Sequence, residues 1–224
     1  MRNHALAALL SFTGGFVDTA GFLGLQGLFT AHVTGNFVTL GATLVLGTHG
    51  AIAKLLALPE FVLVVALVSI AAGWLAGRQW PAVPLLLSAK VALLVAFFAL
   101  AVALGPFPDS DAPAALVTGF AGVAAMGVQN AVQRIHLGSL PPGTLMTGNT
   151  TQAVLDAVAL VRGAMPDQAA VRSRFNRLFA AIVWFAAGCA LAATLYAWIG
   201  FWCLAVPVLT GAASAVLTSK RQPL

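Results

Sequence analysis

Six stretches of the chain, 6–28, 61–77, 84–104, 114–132, 178–199 and 201–218, are almost wholly apolar, and each runs for 17–23 residues. A hydrocarbon core about 30 Å thick takes about 20 helical residues to cross. Inside it no water is at hand, so every backbone N–H and C=O has to bond within the chain. Repeated runs of this length predict an all-α, polytopic helical membrane protein. Two further segments, 33–48 and 144–161, are shorter and polar near their starts. The count is therefore either six spans plus two short helices, or eight spans.

Apolar residues make up 60% of the 224 and charged residues 8%, against about 45–50% and about 25% in soluble domains. Eleven Lys and Arg with six Asp and Glu cannot cover a water-facing surface of this size. That excludes a soluble globular enzyme, a disordered chain and a nucleic-acid binder, and makes the lipid bilayer the first partner. The net charge of +5 is spread between the apolar runs, as in loops held on the cytoplasmic side by the positive-inside rule. The start, Arg2-Asn3-His4 before an apolar run, mimics a signal peptide. That run passes Leu28 without a small-x-small cleavage site and carries Asp18, so it reads as a first membrane helix that is retained. Trp80, Trp198 and Trp202 fall near span ends, where an interfacial belt forms. Cys189 and Cys203 lie inside apolar runs with no CxxC or Cys/His spacing, so neither a disulfide framework nor a zinc site is expected, and no cofactor.

The triplet Thr34-Gly35-Asn36 recurs as Thr147-Gly148-Asn149, an offset of 113 residues and close to half the chain. Asp18 lies 16 residues before the first triplet, and Asn130, beside Gln129, lies 17 before the second. Ala71-Ala72-Gly73 echoes Ala186-Ala187-Gly188 at an offset of 115. Three features in register point to one membrane domain, 1–224, built from two halves, 1–112 and 113–224. In such proteins the substrate site lies at the repeat interface, on short or broken helices in matching positions. If all eight segments span, eight basic residues lie inside and three outside, namely Arg78, Arg134 and, close to that face, Lys90; if both TGN segments re-enter, the tally is ten against one, with only Lys54 outside. Positive-inside counting thus favours inverted three-plus-three repeats with both termini cytoplasmic.

The candidate substrate residues are Asp18, the two triplets Thr34, Gly35, Asn36 and Thr147, Gly148, Asn149, and the pair Gln129 and Asn130. An acid near a helix centre costs about 2.5–3.5 kcal/mol even on the lenient insertion scale, which marks Asp18 as a candidate proton carrier. His32, two residues before the first triplet, is a candidate relay partner. In the triplets a hydroxyl, a glycine open to close approach and an amide with both donor and acceptor can frame a ligand or cap a short helix. Asp156, seven residues beyond Asn149, is expected to pair with an arginine; Thr43 holds its place in the first half. Gly21, Gly24 and Gly27, and Gly73-x-x-x-Gly77, read as faces for close helix packing. Arg172, Arg174 and Arg177 suit an inner surface beside anionic lipid. No Gly-rich phosphate loop, HExxH or GxSxG occurs, and no pair of carboxylates at helical spacing, so an enzyme is not expected.

The stretch Gly14-Gly15-Phe16-Val17-Asp18, followed by Phe29-Thr30-Ala31-His32-Val33-Thr34-Gly35-Asn36, resembles the first half of the YoaK family. Met126-Gly127-Val128-Gln129-Asn130, followed by Thr144-Leu145-Met146-Thr147-Gly148-Asn149, resembles its second half. The likeness spans roughly residues 6 to 215. It implies an α-helical protein of the bacterial inner membrane and supplies no substrate. In that family the second triplet is often TGT, so Asn149 makes the two halves of this chain more alike. Taken with the repeat, the residues predict a transporter or channel for a small molecule or ion, coupled to protons through Asp18. A non-transporting membrane interaction or sensor subunit is the alternative, and an integral membrane enzyme a more distant one. A homo-oligomer is compatible with each.

Overall fold

The computed structural model describes residues 2–163 and 167–219. Met1, Lys220 and Arg221, which enter the reading of the termini and the charge tally, lie outside the described residues, as do 164–166 of the segment between Arg162 and Arg177. The described chain is α-helical: α1 (Arg2–Gly24), α2 (Gly35–Leu46), α3 (Ala51–Gly77), α4 (Ala82–Leu104), α5 (Pro113–His136), α6 (Met146–Arg162), α7 (Gln168–Ile199), a 3₁₀ turn (Gly200–Leu204) and α8 (Ala205–Ser219). Five stretches are long and apolar enough to cross a membrane: α1, α3, α4, α5 and the path Gln168–Ser219 through α7 and α8. At 1.5 Å per residue the 12 residues of α2 reach about 18 Å and the 17 of α6 about 25 Å.

Helix boundaries differ from the apolar runs for local reasons. α1 stops at Gly24 rather than 28 because Gln26 and Gly27 turn into the left-handed region at φ 51° and 84°, so Gly27 is not on the predicted glycine face. α3 starts ten residues before its apolar run. Asp111 accepts the Gly50 and Ala53 N–H groups at 3.0 and 2.9 Å and so closes its start. α7 also starts ten residues early, where Asp167 accepts the Ala170 N–H at 2.9 Å. In both cases a carboxylate satisfies first-turn donors that have no partner within the helix.

α1 and α5 form the centre. Of their most apolar stretches 61% and 72% are buried, against 17% for α3, 33% for α4 and 22% for the path through α7 and α8. α1 packs on α7 and α8; α5 packs on α3 and α4; α4 packs on α8; α2 lies on α3, and α6 on α7. At one end, here the Arg2 end, Arg2 donates to the Leu217 carbonyl at 2.6 Å. Asn3 and His4 share a recess there with Ser139 and Arg177, and Trp80 shares another with His136 and Thr218. At the opposite, Gln26 end, Gln26 donates to the Phe107 carbonyl at 3.3 Å, and Lys54 Nζ donates to the Gln26 carbonyl at 3.0 Å. Hence α1, α4 and α7 run from the Arg2 end to the Gln26 end, and α3, α5 and α8 return.

The closest helix crossing is α1 on α7. A side chain at Gly15 would strike the Phe185 carbonyl, and one at Gly188 the Phe12 carbonyl. The backbones touch there, as small residues permit where helices associate without water to drive them. The predicted Gly73–Gly77 contact face is not realised: a methyl group on either glycine would meet nothing within 4 Å. That side of α3 faces outward, away from α5. Gly15→Ala is expected to destabilise the protein in mild detergent by about 1–3 kcal/mol, the usual cost of overpacking. Gly73→Ala should be neutral or stabilising by up to about 1 kcal/mol, since alanine is the better helix former. Equal unfolding midpoints for the two variants would contradict the close crossing.

Candidate functional site

Asp18 sits six residues before the end of α1, 6% exposed. Its Oδ1 accepts the N–H of Ala31 at 2.7 Å and of His32 at 3.3 Å. It therefore holds the segment that leads into α2. Asn36 completes the hold: its Oδ1 accepts the Phe29 N–H and its Nδ2 donates to the Phe29 carbonyl, both at 2.9 Å. The second half repeats the device. Asn149 Nδ2 donates to the Pro142 carbonyl at 2.8 Å, seven residues upstream as Phe29 is from Asn36. Asn130 Oδ1 accepts the Thr144 hydroxyl at 2.5 Å. The polar residues legible in the sequence thus clasp two backbone loops whose groups lack helical partners.

Each clasped loop walls a cleft. The first, about 300 Å³, lies between Asp18 and Phe22 of α1, Phe29 and His32 of the loop, and Phe185 and Cys189 of α7. The second, about 440 Å³, lies between Asn130 and Arg134 of α5, Pro142 and Leu145 of the loop, and Phe61 and Val65 of α3. Phe61 and Phe185 answer each other, as do Val65 and Cys189, both pairs 124 residues apart. The first cleft lies toward the Gln26 end and the second toward the Arg2 end. Both mix apolar walls with a few polar groups, as small-molecule sites do.

The structure brings Asp18 and His32 into one cleft and places Asn130 in the other. It does not bring the two triplets together: among the described residues α2 and α6 share no contact. Thr34, Thr147 and Gly148 are exposed, and neither short helix has a side-chain N-cap. The expected capping by Thr or Asn is replaced by the seven-residue reach of Asn36 and Asn149. Each short helix is pinned a second time from the long helix that follows it. Lys54 Nζ donates to Thr43 Oγ1 at 3.0 Å, and Arg174 grips Asp156 through Nε at 2.8 Å and Nη2 at 2.6 Å. Thr43 and Asp156 are again 113 residues apart. The arginine expected for Asp156 is therefore Arg174. Among the described residues no three His, Cys, Asp or Glu side chains meet to hold a metal ion.

Lys90 and Gln129 form the polar contact that sequence reasoning missed. In the charge tally Lys90 stood near a membrane face. The structure buries it completely, eight residues past the start of α4, with Nζ donating to Gln129 Oε1 at 2.5 Å. Gln129 Nε2 donates in turn to the Leu10 carbonyl at 2.9 Å. Gln129 is thereby occupied away from the cleft that its neighbour Asn130 lines. The available signal was a lysine standing alone inside the apolar run 84–104.

These features together define a helical membrane protein with buried polar groups and two walled clefts. Residues 6–217 match the family described as Protein of unknown function (DUF1275), and the chain belongs to that family. No curated protein and no solved structure matches it.

Asn36→Ala is expected to speed amide hydrogen exchange across 28–33 while leaving 140–144 protected. It strands the Phe29 N–H and C=O, at a cost of about 1–3 kcal/mol. Unchanged protection of 28–33 would show that Asn36 does not hold the loop. The Arg174 guanidinium holds the Asp156 carboxyl below its ordinary range. A depressed folded-state value makes this contribution fully present above about pH 4, the unfolded carboxylate value, and lost as pH falls through the lower folded value. Arg174→Ala should lower the thermal midpoint above pH 5 and flatten that part of the acid limb of stability, read by thermal melts from pH 2 to 7.

Proposed function

We propose that this protein moves a small molecule or ion across the bacterial inner membrane, as a carrier or channel, and is neither an enzyme nor a passive subunit. Its two halves, 1–112 and 113–224, are inverted repeats within one membrane domain. α1, α3, α4, α5, α7 and α8 cross the bilayer, while α2 and α6 enter and leave on one side each. The packing supports this reading: exchanging each helix for its counterpart four places on turns α1 on α7 into α5 on α3, α2 on α3 into α6 on α7, and α4 on α5 into α8 on α1. α1 and α5 run in opposite directions, as inversion requires. Both ends of α2 return to the Gln26 end, beside Lys54, and α6 lies between the α5 end and α7 start at the Arg2 end. Arg2, Arg78, Arg134 and Arg177 belong to the Arg2 end, which is accordingly the cytoplasmic face with the N-terminus on it.

The observation that carries the function is the pair of clefts. They occupy equivalent places in the two halves and lie toward opposite ends of the bundle, each floored by the polar residue, Asp18 or Asn130, that clasps its loop. Alternating access needs two such half-sites exchanged by the repeat. Asp18 lines one cleft with His32 beside it, so this cleft takes a proton or a weakly ionised ligand; Arg134 and Asn130 in the other suit a polar or anionic group. Few other charges line either cleft, which favours a neutral, weakly ionised or singly anionic substrate, unidentified as yet.

A thermal-stability screen in mild detergent against metabolites and inorganic ions tests this reading. A ligand at 100 times its dissociation constant stabilises by about 2.7 kcal/mol. The expected result is a hit that is lost in Asp18→Asn or Asn130→Ala and kept in Gly73→Ala. A screen without any hit, together with a partner that co-purifies in stoichiometric amount, would overturn it in favour of an interaction subunit.

A further inference from the structure

Lys90 is 0% exposed, about 12 Å into α4 by helical rise. Its ammonium has three donors, and the recorded partner is one neutral acceptor, Gln129 Oε1. The ion pairs among the described residues are His49 with Asp109 and Arg174 with Asp156, and neither involves Lys90. The ionisable groups on the elements around it are Arg134 and His136 on α5, Lys54 and Glu60 on α3, Arg2, His4 and Asp18 on α1, and Cys203 on the 3₁₀ turn. None makes a hydrogen bond or ion pair with Lys90. The described residues of α8 include no ionisable group.

The internal repeat separates packing from chemistry here. α8 is the counterpart of α4 and fills its place with uncharged residues. On α1, Phe16 and Val17 occupy the positions that Gln129 holds on α5, at offsets of 113 and 112. Uncharged side chains therefore pack this site in one half, where α1 and α8 meet through the Thr13 and Thr210 hydroxyls at 2.8 Å. In the other half a lysine and a glutamine link α4 to α5 and, through the Leu10 carbonyl, to α1. The link thus joins the first half of the chain to the second, and it sits one residue along α5 from Asn130 in the second cleft.

We propose that Lys90 is the proton-exchange group of the transport cycle, resting on the transport reading above. In the arrangement described, Gln129 holds Lys90 Nζ away from water. Movement of α5 that opens the cleft at Asn130 withdraws Gln129 and admits water to Nζ. The ammonium then gives one proton to that water and becomes the neutral amine. When α1 moves instead and opens the first cleft, water from that side returns one proton to Nζ, and closure restores the contact. One proton moves per turn, with no redox change and no covalent intermediate.

The two clefts supply a readout that needs no known substrate. In a Cys203→Ala background Cys189 reports the first cleft; with Cys189→Ala added, Val65→Cys reports the second. Labelling by a methanethiosulfonate reagent in detergent, from pH 6 to 10, gives the ratio of the two rates. Each rate is divided by that cysteine's ionised fraction, read from its thiolate absorbance over the same pH range, so the ratio reports which cleft is open. With Lys90 intact the ratio is expected to change by up to about tenfold per pH unit around one midpoint, the slope of one linked proton. Lys90→Met and Lys90→Arg should abolish the dependence and hold the ratio at opposite extremes. A flat ratio with Lys90 present overturns the proposal, whether or not the variants fold, and so does a profile unchanged in Lys90→Met. A flat ratio alongside a ligand that stabilises through Asp18 leaves transport standing and removes Lys90 from the coupling. A Lys90-dependent ratio without any ligand hit does the reverse.

Discussion

Without water in the hydrocarbon, every polar group that enters the bundle has to find its partner in the chain, and the rest of this structure follows from how that demand is met. The long helices satisfy their own backbones. The segments 25–34 and 137–145 do not, and they lie against the most buried helices. Asp18, Asn36, Asn130, Gln133 and Asn149 supply the missing partners, and each bonds backbone or side-chain groups of those loops. Asp18 in α1 and Asn130 and Gln133 in α5 are therefore each bound to one of those loops. The walled clefts are the consequence, since a loop held off the helix axis leaves room beside it.

Close packing and polar clasps divide the labour. At Gly15 and Gly188 the α1 and α7 backbones meet with no side chain between them. Beside that crossing Asp18 and Cys189 line the first cleft, with the Cys189 thiol donating to the Gly15 carbonyl at 3.4 Å. In the second half Gly127 meets Val64 in the corresponding crossing, with Asn130 and Val65 at the cleft beyond it. Each of the two tight crossings thus has a cleft beside it. Cationic pins at Lys54 and Arg174 keep the short helices on their long neighbours. Arg174 keeps its partner charged, whereas Lys54 reaches only neutral oxygens.

Much of this was legible before any coordinates. Runs of about 20 apolar residues are long enough to be unmistakable, so the helices, their joins and the membrane setting could be read directly. The triplets marked the two short segments, which form α2 and α6. The role assigned to those triplets was less legible. Asn36 and Asn149 looked like residues waiting for a ligand, yet their side chains are spent on carbonyls seven residues away. Spacing along a sequence does not show which way a loop folds back. Gly73 and Gly77 had the spacing of a packing face and lie on an open one, since small residues mark where helices can approach and not where they do.

The sequence by itself determined the class of fold and the solvent. Those depend on local quantities: run length and charge density. Only the tertiary structure decided what the polar residues do, because their partners are distant along the chain and 13 to 119 residues separate the bonded groups Asp18 and Ala31, Lys90 and Gln129, and Gln129 and Leu10. A single lysine in an apolar run reads as a charge near a surface until the neighbouring helix brings an amide to it. The cost of leaving a buried charge without a partner acts on the assembled bundle and has no counterpart in the linear order of residues.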